Sequence, residues 1–212
     1  MKKLAIIGTK EFAEQITDFA IQTGKFEVVG YYDNIEPKGN IVNGRPVLGT
    51  VEDAIKGHQD KVFDEIFIGV GYTRFDLREQ FYSQLKGKVP FANIINTTAE
   101  VSPSARLGEG VYVGPHTTIA ANTIIDNNVF VHGHCLLGHD SHIHSHSYFS
   151  GRDYMAGFCE VGERVFVGLS VCVADHMTIT NDVWIGIGSI VAKDLTQPGK
   201  YMSASARLIR VE

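Results

Sequence analysis

A period of six constrains this chain more than any other feature. From Val101 to Val191 every sixth residue is aliphatic, Phe or Met: Val101, Leu107, Val113, Ile119, Ile125, Val131, Leu137, Ile143, Phe149, Met155, Val161, Val167, Val173, Ile179, Ile185 and Val191. A short fixed period marks a solenoid, in which each repeat buries its apolar side only against its neighbours. The residue after the anchor is Gly or Ala at most places, among them Gly108, Gly114, Ala120, Gly138, Ala156, Gly162, Gly168, Ala174 and Gly186, where a chain turning a corner has room for little else. The fifth position of each hexad points inward again and is mostly small, from Ala105 and Thr117 to Cys159 and Val171; Asp153 and Met177 depart from this. Three hexads make one coil, so residues 18 apart stack on one face. The pattern predicts an all-β parallel β-helix of hexapeptides over residues 97–212.

Residues 1–96 carry a different pattern, that of a small α/β unit. Leu4–Ile7 forms an expected buried strand, and Phe12, Ile16, Phe19 and Ala20 recur at helical spacing before Gly24. A second strand is expected at Phe26 to Tyr32, a loop from Ile35 to Gly49 around Asn43-Gly44-Arg45-Pro46, and a short helix at Val51 to Ile55. A third strand at Glu65 to Val70, a helix from Thr73 to Leu85 and a fourth strand near Phe91 to Ile95 follow. Alternating strands and helices predict a parallel, Rossmann-like sheet with helices on both faces, whose ligands lie beyond the carboxyl ends of the strands. Gly8-Thr9-Lys10, Gly69-Val70-Gly71 and Asp33-Asn34 fall there. Lys10, Glu11 and Ala13 stand where a dinucleotide fingerprint has glycines, which disfavours NAD.

Nineteen Lys and Arg against 24 Asp and Glu give a formal charge of −5 with no basic run, so nucleic acid and an anionic membrane are not expected as main partners. The apolar stretch after Lys2-Lys3 ends at Gly8, too soon for a secretion signal, and no run could span a bilayer. Cys135, Cys159 and Cys172 all fall within the solenoid, two at inward positions, which reads as core filling in a reducing cytoplasm.

Six of nine histidines lie between Val131 and Ser147: His132, His134, His139, His142, His144 and His146. Their hexad positions predict that they decorate the prism surface. His134 and His139, like His139 and His144, have a spacing used by γ-type metalloenzymes. The residues two coils earlier are Thr98 and Pro103, poor zinc ligands, so no metal is expected. His139 stands apart because Asp140 follows it, and a carboxylate beside an imidazole raises its basicity, as a general base requires.

The strand-turn-helix start, Asp33-Asn34, Gly44-Arg45-Pro46-Val47-Leu48-Gly49 and the hexads around Gly138-His139-Asp140 together resemble the sugar acyltransferases of the sialic-acid O-acetyltransferase and bacillosamine/perosamine N-acetyltransferase family. The resemblance implies a left-handed helix, a homotrimer, and acetyl-CoA as co-substrate for acetylating the amine of a nucleotide-linked amino-deoxy sugar in surface-glycan synthesis. It implies His139 as base with Asp140 as its support. It also implies Lys10, Glu11, Phe12, Asp33, Asn34, Arg74 and Tyr148 around the sugar nucleotide, and Gly157, Gly168, Leu169, Gly186 and Ile187 along acetyl-CoA. Tyr148 replaces a family histidine, and Ser203-Ala204-Ser205-Ala206 replaces a family Gly-x-Pro-Ala. Acetylation of a sugar hydroxyl, a γ-type metalloenzyme and a non-catalytic trimeric scaffold remain as alternatives.

Overall fold

A computed structural model describes residues 1–203, so Ala204 to Ala206 lie outside the described residues. The N-terminal sheet is built on β1 (Lys2–Ile7), flanked in parallel by β2 (Phe26–Tyr32) and β5 (Glu65–Ile68). Leu4, Ala5, Ile6 and Ile7 are all fully buried, as a central strand covered on both faces requires. Helix α1 (Glu11–Gln22) turns Ala13, Ile16, Thr17 and Ala20 toward one face. Helices α2 (Asp53–Gln59) and α3 (Phe75–Leu85) cover the other, and a 3-10 turn at Tyr72–Arg74 replaces the expected first turn of α3.

Two segments differ from expectation. The stretch read as a loop contains β3 (Ile41–Val42) and β4 (Arg45–Gly49), an antiparallel hairpin closed by Asn43 and Gly44, both at positive φ (47° and 72°). Asn-Gly is the favoured pair for such a turn, but Pro46 obscured the strand, and β4 pairs with β2 only from Val47 on. The strand expected near Phe91 to Ile95 is divided. Phe91 bridges Ile66 of the first sheet, whereas Ile94–Ile95 pairs with Tyr112–Val113 as the first rung of the solenoid.

The solenoid is a left-handed three-sided prism. Its first face stacks the strands at residues 100–101, 118–119, 136–137, 154–155, 172–173 and 190–191, and its second those at 106–107, 124–125, 142–143, 160–161 and 178–179. The third face begins at Ile94–Ile95 and continues through 112–113, 130–131, 148–149, 166–167, Val183–Ile185 and Gly199–Tyr201. The first edge joins the first and second faces, the second edge joins the second and third, and the third edge returns to the first face. The hexad anchors are buried from Val113 onward, and Val101 and Leu107 at the open end are half-buried. Corners are tight: a Cβ on Gly138 would lie 2.3 Å from the carbonyl carbon of Ala156 one coil on. From His116 to Asp182 every sixth residue has φ between 54° and 68°, the left-handed region that Asn, Asp and His tolerate best.

Inward polar residues have a clear use. The amides of Cys135, Cys159 and Val165 donate to the hydroxyls of Thr117, Ser141 and Ser147 one coil earlier, at 3.3, 3.0 and 3.1 Å. Asp153 does the same for Val171 (2.9 Å) and also accepts from the Gly151 amide (3.2 Å), which accounts for its place in the core. Burial pushes its carboxyl up to about 7.

The outward aromatic residues Tyr112, Phe130, Tyr148, Tyr154, Phe166 and Trp184 suggest from sequence a subunit interface. Instead the chain's own α/β unit covers the five on the third face, all but Tyr154. Phe19 stacks on Tyr112 (5.3 Å between centroids), Phe67 on Phe130 (5.3 Å), and Tyr72 meets Phe166 (5.0 Å). Tyr154 belongs to the first face and is 55% exposed. Arg78 of α3 is fully buried in this junction, 4.0 Å above the Phe130 ring, and donates to the Asn128 carbonyl at 2.6 Å. Its Nε and Nη1 have no hydrogen-bond partner among the described residues, and burial lowers its pKa to about 9.

Candidate functional site

The chemistry-bearing residues gather in two places. The first is a cleft of about 780 Å³ between the α/β unit and the third face, within the size range of small-molecule sites. All seven residues implicated in sugar-nucleotide binding line it: Lys10, Glu11, Phe12, Asp33, Asn34, Arg74 and Tyr148. So do Thr9, Gly69, Val70 and Gly71, at the carboxyl ends of β1 and β5 where a parallel sheet presents its ligands.

Their engagement differs. Asp33 accepts from Thr9 Oγ1 (2.7 Å) and from the Ile35 amide (2.7 Å), so it also holds the loop it begins. Asn34 Oδ1 accepts from the Val51 amide (2.9 Å), leaving its NH₂ free of described partners. Arg74 is exposed at the rim with its guanidinium held by Asp76 at 2.9 and 3.1 Å. Phe12 packs on Phe130 and His132, and Tyr148 is buried in the aromatic stack.

Sequence reasoning missed His132 here. It occupies the small position after its anchor, lines the cleft, and has a buried Nε2 without a partner. Desolvation first, then the Arg78 charge, lowers its pKa to about 4. His146 is likewise buried rather than decorative. It contacts Asn128 at 2.9 Å, and the same two causes, in the same order, lower it to about 4. Signals existed in the bulk of His132 at a small position and in the aromatic run on the third face.

The second place is the first edge of the prism. His139 and Asp140 sit there, and neither lines the cleft. Asp140 is one of the left-handed corner residues (φ 55°), and that conformation brings its Oδ2 to 2.8 Å from His139 Nδ1. Asn122 of the preceding coil donates to the same carboxylate at 3.0 Å. The His139 contact, then Asn122, hold the Asp140 carboxyl below its ordinary range. With Asp140 Oδ2 accepting a hydrogen bond from Nδ1–H, Nε2 carries the free lone pair. Gly157 of the next coil makes room for the ring, since a Cβ there would lie 2.9 Å from Nε2.

The residues implicated in acetyl-CoA binding are divided. Gly157 is on the first edge beside His139, whereas Gly168, Leu169, Gly186 and Ile187 stack on the third edge. Gly168 and Gly186 are buried, the latter beneath Met202, while Leu169 and Ile187 project outward. His134, His139 and His144, the γ-type spacing, fall on three different edges and do not converge. Cys135 and Cys159 are buried thiols, and burial pushes Cys135 up to about 12, far from a thiolate nucleophile. Among the described residues no helix is long and apolar enough to cross a membrane.

The chain is thus an α/β unit with a cleft of small-molecule size, docked on a left-handed β-helix of hexapeptides that presents a His–Asp pair. Residues 3–85 match the PglD N-terminal domain family. PerB from Caulobacter crescentus, solved in complex with CoA and GDP-perosamine, superposes with a TM-score of 0.82 at 25% identity, over 96% of this chain and 95% of that one. The acetyltransferase domain of PglB from Neisseria gonorrhoeae, solved with acetyl coenzyme A, gives a TM-score of 0.86 at 23% identity over 95% and 96%. UDP-3-O-acylglucosamine N-acyltransferase from Janthinobacterium sp. (strain Marseille) is 30% identical over 102 residues, 46% of this chain and 29% of that protein. The chain thus spans about three tenths of the length of that curated relative. Over nearly its whole length the chain shares the fold of these two acetyltransferase structures.

Proposed function

We propose that the protein transfers the acetyl group of acetyl-CoA to the amine of a nucleotide-linked amino-deoxy sugar, a 4-amino-4,6-dideoxyhexose. In this division of labour residues 1–96 bind the nucleotide sugar and residues from 97 on carry the chemistry. The observation that carries it is the His139–Asp140 pair with Nε2 unencumbered, on a fold shared with an enzyme that holds CoA and GDP-perosamine. Nε2 accepts a proton from the attacking amine, the nitrogen bonds to the thioester carbonyl carbon, and the C–S bond breaks to release CoA. Asp140 stabilises the imidazolium formed. The absence of an activated thiol near His139 favours direct attack over an acyl-enzyme.

The cleft and His139 lie on opposite sides of the first face, so one chain does not bring them together. A trimer in which a neighbour's first edge meets this chain's third edge unites them. It also sets Gly157 of one copy opposite Leu169 and Ile187 of another, with acetyl-CoA between, and covers the exposed Leu136, Tyr154 and Ile190. The free amides at the start of α1, beside Lys10, suit the sugar diphosphate. Acetyl-CoA as co-substrate and free thiols support a cytoplasmic protein.

The test is release of free CoA thiol with acetyl-CoA and a panel of UDP-, dTDP- and GDP-linked amino sugars. His139→Ala should lower turnover by about two to four orders of magnitude with the assembly intact. An unchanged rate rejects His139 as base, and a fully active monomer by light scattering rejects the shared site.

A further inference from the structure

Hexad corners demand small residues, yet one stack on the second edge departs from that rule in two successive coils. Along it run Gly108, Asp126, His144, Gly162 and Thr180, so Asp126 and His144 stand between glycines at places where the fold asks for nothing polar. His142 points outward from the adjoining strand, and Glu160 is its partner in the next coil.

These four side chains converge. His142 Nε2 lies 3.1 Å from Asp126 Oδ1, and His144 Nδ1 lies 3.2 Å from Asp126 Oδ2. The two imidazole centroids are 4.0 Å apart, and one ligand atom from each of the three residues falls within 4.8 Å of the others. Zinc–ligand bonds of about 2.0–2.1 Å in a tetrahedron set ligand atoms about 3.3 Å apart, close to the two separations found. On the far side Glu160 Oε1 hydrogen-bonds His144 Nε2 and lies 3.7 Å from His142 Nδ1. That is the outer carboxylate that orients metal-binding histidines.

Donor counting points the same way. Each ring lies between two carboxylates, but a neutral imidazole has only one N–H to offer. If Glu160 takes it, a lone pair faces Asp126. The two carboxylates, Asp126 and Glu160, bring two negative charges to the cluster, which one divalent cation balances.

We propose that Asp126, His142 and His144 bind a first-row divalent cation, Zn²⁺ foremost, with Glu160 as the outer partner and the fourth position open. The site is distinct from His139, which lies on the first edge, and from the γ-type spacing. It joins residues of three successive coils, so its expected effect is on the rigidity of the prism beside the catalytic edge.

Untagged protein stripped with chelator and titrated with zinc chloride by calorimetry tests this. One Zn²⁺ per chain should bind, and a hundredfold excess over Kd should raise Tm by about 5–10 °C, whereas Mg²⁺, which prefers oxygen ligands, should do neither. His144→Gly restores the residue that neighbouring coils carry and should fold while losing the site. Asp126→Asn should weaken binding, and Glu160→Gln should do so by about 10–100-fold. Failure of the stripped wild type to bind Zn²⁺ overturns the proposal. So does undiminished uptake by both His144→Gly and Asp126→Asn, which would put the metal on other surface histidines.

Discussion

Gly157→Ala is expected to damage catalysis more than stability. The added methyl would lie 2.8 Å from His139 Cε1, 2.9 Å from Nε2 and 3.0 Å from the His139 carbonyl oxygen. Carbon contacts settle at about 3.5–4.0 Å, so the imidazole must withdraw by roughly 0.7 Å or turn. Turning breaks the 2.8 Å bond to Asp140, and the Phe158 ring, edge-on with its centroid 5.0 Å from that of His139, closes one side. A proton acceptor works within about 2.6–3.2 Å of its donor, and a displacement near 1 Å costs about a hundredfold, so kcat should fall by about 10–100-fold. The contact with the carbonyl strains the coil by about 1–3 kcal/mol, which lowers Tm by about 2–10 °C. Thiol release measured against both substrates separates the causes. A loss in kcat supports positioning of the base. A loss confined to the acetyl-CoA KM would make Gly157 a floor for the cofactor instead, and wild-type kinetics would refute the geometry.

Arg78→Met should leave stability unchanged or raise it by up to about 2 kcal/mol. The desolvation recovered, about 5 kcal/mol from a pKa lowered to about 9, exceeds the cation–π contact and the Asn128 hydrogen bond lost; destabilisation beyond about 2 kcal/mol in urea would show that the charge has a stabilising partner. The same variant should raise the pKa of His132 and His146, read by NMR titration, because the Arg78 charge is the second cause of their depression after burial. Asp153→Thr tests the raised carboxyl: ionisation is penalised in the folded state from about pH 3.8 upward and fully above 7, so the variant should gain about 1–3 kcal/mol at pH 8 and nothing near pH 4. A gain independent of pH would mean packing, not charge. Asp33→Ala should raise the sugar-nucleotide KM with little change for acetyl-CoA, and an unchanged sugar KM would remove Asp33 from the cleft's function.

Much of the fold was legible because a hexad is both a sequence period and a geometric unit: Val113, Leu137 and Ile179 point inward for the same reason that they recur. β2 was legible at its full length, Phe26–Tyr32, because a buried parallel strand is a continuous apolar run. The hairpin of β3 and β4 was not, since Pro46 removes a ladder donor and mimics a loop. His132 and His146 escaped for a different reason. Hexad phase tells which side chains leave the prism, but not what waits outside, and Phe12, Tyr82 and Arg78 reach them from more than 50 residues away in the chain. The same limit governs the site. His139 and Asp140 are adjacent and could be picked out locally, and Lys10, Asp33 and Asn34 from the ends of β1 and β2, whereas Glu11, Phe12, Arg74 and Tyr148 came only from the family resemblance. The separation of the pair from the cleft by the first face could not be picked out, because it depends on which face the α/β unit covers. With the third face occupied, the first face, flanked by His139 on one edge and by the mouth of the cleft on the other, is the free one that exposes the large apolar Leu136, Tyr154 and Ile190. In the proposed trimer one contact would therefore both bury Leu136, Tyr154 and Ile190 and complete the site.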